Sequence, residues 1–167
     1  MTTERHHPLD PPESDTMTTL DHAAPAPHLD TPLLNAPLLN DRELRERVSS
    51  LIGPAYRRAL WPIFLDRDGV QLPILYPVDG LPVHPDEEKT ERIVAILAKA
   101  VAHQDVGSIA FALERPGRAF LGATDRVLAR HLAAACHRRA IPLRALLLVH
   151  DEGVRVVAAT EYAAATT

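Results

Sequence analysis

GSIAFALE, RPGRAFLGA, TDRVLARHLAAACHRRA and IPLRALLLVHD run consecutively from Gly107 to Asp151. They read as a buried strand, a loop, an amphipathic helix and a second buried strand. A crossover of this length lets the two strands lie parallel, as in a βαβ unit. Chemistry supported by such a unit belongs on the loop between Glu114 and Asp125, beyond the strand's C-terminal end and at the start of the helix. In that helix Val127, Leu128, Leu132, Ala135 and Cys136 make the apolar stripe, and Thr124 is the expected N-cap.

Working upstream, Asn40 or Asp41 caps a helix through DRELRERVSSLI, with Leu44, Val48, Leu51 and Ile52 on one face and Gly53-Pro54 as its stop. AYRRAL adds a short turn. WPIFLD, Arg67-Asp68-Gly69 and VQLPILYP then form a β-hairpin. Pro62, Pro73 and Pro77 cannot donate to a ladder, so one strand of this hairpin should lie at an edge. Trp61, the single tryptophan, is expected to pack the hairpin on the first helix. Pro85 and the acids Asp86, Glu87 and Glu88 open a helix reaching about His103, with Ile93, Ile96, Leu97, Ala100 and Val101 inside and Glu91, Arg92 and Lys99 outside. Downstream, Asp151-Glu152-Gly153 turns the last buried strand into VRVVA. The expected fold class is α/β, a single compact domain over residues 41–160 with a mixed β-sheet flanked by helices, in the order α-β-β-α-β-α-β-β.

Seven prolines among Thr, Asp, His and Ala predict a disordered tail over residues 1–40, with a frayed C-terminus over 161–167. Within the tail PLLN occurs twice, at Pro32–Asn35 and Pro37–Asn40, as a docking motif or a chance repeat. His6, His7, His22 and His28 lack the spacing of a metal site. A hydrophobic content of 46% over 167 residues suffices for one core, and the charge of −4 argues against strong phosphate-backbone binding. The lone Cys136 excludes an intramolecular disulfide and fits a reducing cytoplasm; no signal sequence or membrane span is expected.

Candidate chemistry is sparse. Glu114 and Asp125 can serve as an acid–base pair if the fold brings them within about 10 Å. His150, Asp151 and Glu152 form the densest polar cluster, although Asp and Gly also belong at a turn for backbone reasons. Arg115 and Arg118 flank Gly117 next to a helix N-terminus and are the candidate anion- or ligand-binding pair. Arg126, Arg130, His137, Arg138 and Arg139 form either a basic patch for nucleic acid or a solvated helix face. Ser49, Ser50 and Ser108 lack a nucleophile's context, and Cys136 sits on an apolar face. No metal and no cofactor are expected, and the oligomeric state stays open.

The run from Leu44 to Val157 resembles the RadC-like branch of the JAB (JAMM/MPN) metallopeptidase-type domains. The likeness lies in the element order, in FLD at 64–66 closing the first strand, and in the cadence of ARHLAAACHRRAIPLRALLLVHDEGVRVV. That family's metal loop reads His-x-His-Pro-Ser-Gly-Asp, with an Asp about ten residues on. Aligned on the proline, Leu113 and Arg115 stand at the histidine positions, Gly117 at the serine, and Asp125 one residue out of register. The family's upstream glutamate has no clear counterpart, Asp79 being the nearest acid. Zinc needs three ligating side chains and an open position, which Leu113 and Arg115 cannot supply. The resemblance therefore implies a non-catalytic relative that binds a protein partner or small ligand. The alternatives are a metal-independent hydrolase using Glu114 and Asp125 with His150, and weak nucleic-acid association through Arg126, Arg130, Arg138 and Arg139.

Overall fold

The computed structural model describes residues 35–163, so residues 1–34 of the tail expected over 1–40, and the final four residues, lie outside it. It is an α/β domain with a six-stranded mixed sheet. Helix α1 spans Asp41–Ile52, β1 Ala59–Leu65, β2 Gln71–Leu75, β3 Val78–Asp79, α2 Glu87–Ala100, β4 Ser108–Glu114, α3 Ala123–Arg138, β5 Leu143–His150, β6 Gly153–Val157 and α4 Ala159–Tyr162. The sheet order is β2-β1-β4-β5-β6, with β3 also on β1; β4 and β5 are parallel and every other pairing is antiparallel.

The central strands are buried on both faces, which is why they read as continuous apolar runs. Their two faces nevertheless differ. Ile109, Phe111, Leu113, Leu146 and Leu148 point to the side covered by α2 and α3. Ala110, Ala112, Leu147 and Val149 point to the side covered by α1. Small residues on the α1 side let a single helix seat close to the sheet through Leu44, Val48 and Leu51.

Asn40 caps α1 reciprocally: its Oδ1 accepts from the Glu43 N–H at 3.0 Å, and the Glu43 carboxylate accepts from the N–H groups of Leu39 and Asn40. Residues 37–40, assigned to the tail from composition, belong to the domain. Pro37 bridges Val70, and Leu38 is buried in the α1-side core. One apolar side chain and one ladder contact order this stretch despite its proline content.

The hairpin is present, and its turn is built around Asp66, whose Oδ1 accepts from the Asp68 and Val70 N–H groups. Gly69 takes φ 81 there. β2 carries Pro73 at the sheet edge, as its proline required. Pro62 is tolerated inside the sheet because the outer side of β1 pairs β3 at Ala59 and Leu60 and β2 from Ile63 onward, leaving Pro62 in the gap. The two-residue β3 had no pattern of its own to announce it.

Three local expectations shift. In α2 the buried ridge is Thr90, Val94 and Leu97, continued by Val101; Ile96 is 64% exposed and Ala100 is exposed too. Thr90 can face inward because its hydroxyl donates to the Asp86 carbonyl at 2.8 Å. Helix α3 is capped at Gly122, not Thr124, since Asp125 at its third position accepts from the Gly122 N–H. The chain beyond β6 forms α4, fixed by Glu161 accepting from Ala158 N–H and from both terminal nitrogens of Arg155. The domain thus runs past residue 160. Among the described residues no helix is long and apolar enough to cross a membrane.

Candidate functional site

β4 ends at Glu114, between Ala59 of β1 and Val149 of β5. A carboxylate closing an apolar strand must find donors or neutralise. Glu114 is fully buried and finds them in the α1–β1 connection: its Oε1 accepts from the Tyr56 and Arg57 N–H groups at 3.1 and 3.4 Å, its Oε2 from Trp61 Nε1 at 2.9 Å. Arg57 Nε lies 3.7 Å from the same oxygen, and Arg57 Nη1 reaches Asp79 Oδ1 at 2.9 Å. The Arg57 guanidinium also sits 5.4 and 5.5 Å from the ring centroids of Tyr56 and Trp61. Trp61 packs on the α1-side core, as expected of it.

Asp125 is the second buried carboxylate. Its Oδ1 accepts from Arg58 Nη1 at 2.8 Å, and its Oδ2 from Arg115 Nε at 2.7 Å and the Gly122 N–H at 3.1 Å. Burial pushes its carboxyl upward, but hydrogen bonds from Arg58, the Gly122 N–H and Arg115 outweigh that and hold it below the ordinary aspartate value. A depressed folded pKa contributes stability above the unfolded value of about 4, and that stability is lost as pH falls through the folded value. Thermal melts across that acid range should therefore show a destabilisation that Asp125→Asn removes; an unchanged acid limb in the variant would refute it.

Arg57, Arg58 and Arg115 thus face Asp79, Glu114 and Asp125, and the charges cancel within the cluster. Among the described residues Arg57 Nε and the Nε and Nη2 of Arg58 have no hydrogen-bond partner, and these atoms are sealed from solvent. The two acids expected to share acid–base work are each held by their own donors, Glu114 with no exposed surface and Asp125 with 4%.

The remaining candidates fall around this cluster. Arg115 turns inward: besides Asp125 it donates to the carbonyls of Pro116, Arg118 and Phe120. Its guanidinium shapes the loop and is not free for an incoming anion. Arg118 is exposed on that loop. Asp151 clamps the loop from below, accepting from the Gly117 N–H at 2.8 Å while its own N–H donates to the Gly117 carbonyl. His150 is buried and its Nδ1 accepts from the Glu152 N–H at 3.3 Å; Asp151 and Glu152 face solvent, so the trio does not converge. Leu113 is core. Among the described residues no three His, Cys, Asp or Glu side chains gather as metal ligands. Burial, then the negative charge of Glu91, pushes the Cys136 thiol up to about 11, so it is protonated at neutral pH. Arg138 pairs with Glu87 and Glu91, and Arg139 with Glu91, which neutralises the C-terminal half of the basic helix and leaves Arg126 and Arg130 exposed at its other end.

Sequence reasoning missed Tyr56, Arg57 and Arg58, read there only as a turn. The available signal was Glu114 itself, an acid at the end of an apolar strand that demanded cationic partners.

No protein-family model matches this chain, and no curated protein matches it.

Proposed function

We propose that this chain is a RadC/JAB-like α/β domain without that family's metal chemistry, acting as a non-catalytic binding module for a protein partner at the end of the sheet where β4 and β5 terminate. The element order agrees with that on which the resemblance rests, with β3 and α4 as short additions. At the two positions aligned with the family's histidines, Leu113 is core and Arg115 is turned onto Asp125.

One observation carries the reading. Consecutive residues Glu114 and Arg115 hold two separate loops by their backbones: Glu114 accepts from the Tyr56 N–H, and Arg115 donates to the Phe120 carbonyl. The two braced loops expose Tyr56 at 71% and Phe120 at 60%, with Arg118 exposed on the Phe120 loop. Large aromatics and arginine over an ordered base are the composition of interface hot spots. Such rings cost little ordering entropy on binding, because their loops are already fixed.

The test is affinity capture from an extract of the cells that make the protein, comparing the full chain with a Tyr56→Ser/Phe120→Ser variant. Both side chains point outward, so the variant should melt within a few degrees of wild type. A protein retained by wild type should fall at least about tenfold in the variant, the loss of one strong hot spot. Equal recovery on both proteins would overturn the assignment of this surface.

A further inference from the structure

The second PLLN copy has a defined seat. Pro37 bridges Val70, the Leu38 N–H donates to the Gly69 carbonyl at 2.8 Å, and the Leu38 side chain is buried with Leu44, Val48, Ile63 and Leu65. Leu39 stays outside at 72% exposure, while Asn40 caps α1. Proline, first leucine and asparagine are thus each engaged by a separate feature of the fold. Of these, only the cap draws on a side chain at a fixed sequence distance from the motif, the Glu43 carboxylate three positions after Asn40.

The first copy, Pro32–Asn35, has the same four residues, but Leu38 stands three after its asparagine. It can offer the same proline, the same backbone and the same leucine, and it lacks the reciprocal carboxylate. A single residue, Ala36, separates the two copies, so the first is held at high effective concentration near the seat of the second.

We propose that the slot between the β1–β2 turn and α1 is a binding site for extended Pro-Leu-Leu segments with two ligands in one chain. The second copy fills it at rest. Pro32–Asn35 takes it when the second copy is withdrawn, with Leu33 in the place of Leu38 and residues 36–40 looped out. The missing cap sets the preference for the second copy at roughly two- to thirtyfold. The exchange releases Leu38 and Leu39 for an outside partner without emptying the slot. This inference does not rest on the surface at Tyr56 and Phe120.

Amide exchange and melting of the full chain test it. In wild type the Leu38 amide should exchange roughly two- to thirtyfold more slowly than the Leu33 amide. In Leu38→Ala the Leu33 amide should slow at least about tenfold, since losing a buried leucine costs more than the cap. Leu33→Ala should be silent alone and lower the melting temperature further only in the Leu38→Ala background. Asn40→Ala, which leaves Leu38 in place, should shift protection from Leu38 toward Leu33 by the same two- to thirtyfold factor. A Leu33 amide equally fast in all three proteins, with additive substitutions, would overturn the proposal. A doubled mass for Leu38→Ala would also overturn it, by placing the exchange between chains.

Discussion

Glu114→Ala should destabilise the domain by about 3–5 kcal/mol, because three N–H donors to a buried carboxylate lose their acceptor at roughly 1–3 kcal/mol each. The substitution leaves the Trp61 indole N–H and the N–H groups of Tyr56 and Arg57 without their buried acceptor, while the Arg57 guanidinium keeps Asp79. For a domain of this size the melting temperature should fall roughly 10–20 °C. Glu114→Gln should cost less, because the amide oxygen can still accept from some of these donors. Denaturant titration of the three proteins orders them, and a wild-type midpoint for Glu114→Ala would mean the carboxylate is not an anchor.

Gly107→Ala is the second large effect, and its cause is steric. A Cβ on Gly107 would lie 2.5 Å from the Asp66 carbonyl oxygen and 2.7 Å from the Arg67 Cα, both backbone atoms that cannot swing aside. Gly107 is also pinned by its N–H to the Leu65 carbonyl at 2.8 Å, where β4 enters the sheet against the β1–β2 turn. Forcing the strand and turn apart should cost about 2–3 kcal/mol, the range of overpacking in a tight site. Equilibrium unfolding decides it: a change below about 0.5 kcal/mol, the scatter of ordinary surface substitutions, would show that the contact relaxes freely.

Both effects arise where sequence reading ran short. The central βαβ unit, α1 and the hairpin were legible because each rests on a local pattern, a stripe, a cap or an Asp-Gly turn. Ile96 was misplaced because α2 presents two apolar ridges, and packing against the sheet and α3 selected Thr90, Val94 and Leu97, supported by the threonine's bond to the Asp86 carbonyl. Asn40 was legible as a cap, but the strap at Pro37–Leu39 was not, because composition marks its proline and not the buried Leu38.

The candidate site was half legible in the same sense. Glu114, Asp125 and Arg115 were identifiable as the polar residues around the crossover loop. Their partners Arg57 and Arg58 lie 57 and 67 positions from Glu114 and Asp125, and no spacing rule spans such a distance. Seen as isolated acids, Glu114 and Asp125 invite an acid–base reading. Seen with three arginines, two loops and an indole, they are anchors that fix where Tyr56 and Phe120 project.

That claim is tested most directly by amide hydrogen exchange at Tyr56 and Arg57 in wild type and Glu114→Ala under conditions where both are folded. If the Glu114 carboxylate holds the loop, both amides are protected in wild type and exchange at least about tenfold faster in the variant, the loss of one charge-assisted hydrogen bond. Amides that are unprotected in wild type, or equally protected in both proteins, would contradict the anchoring role of Glu114 and with it the platform on which the binding surface depends.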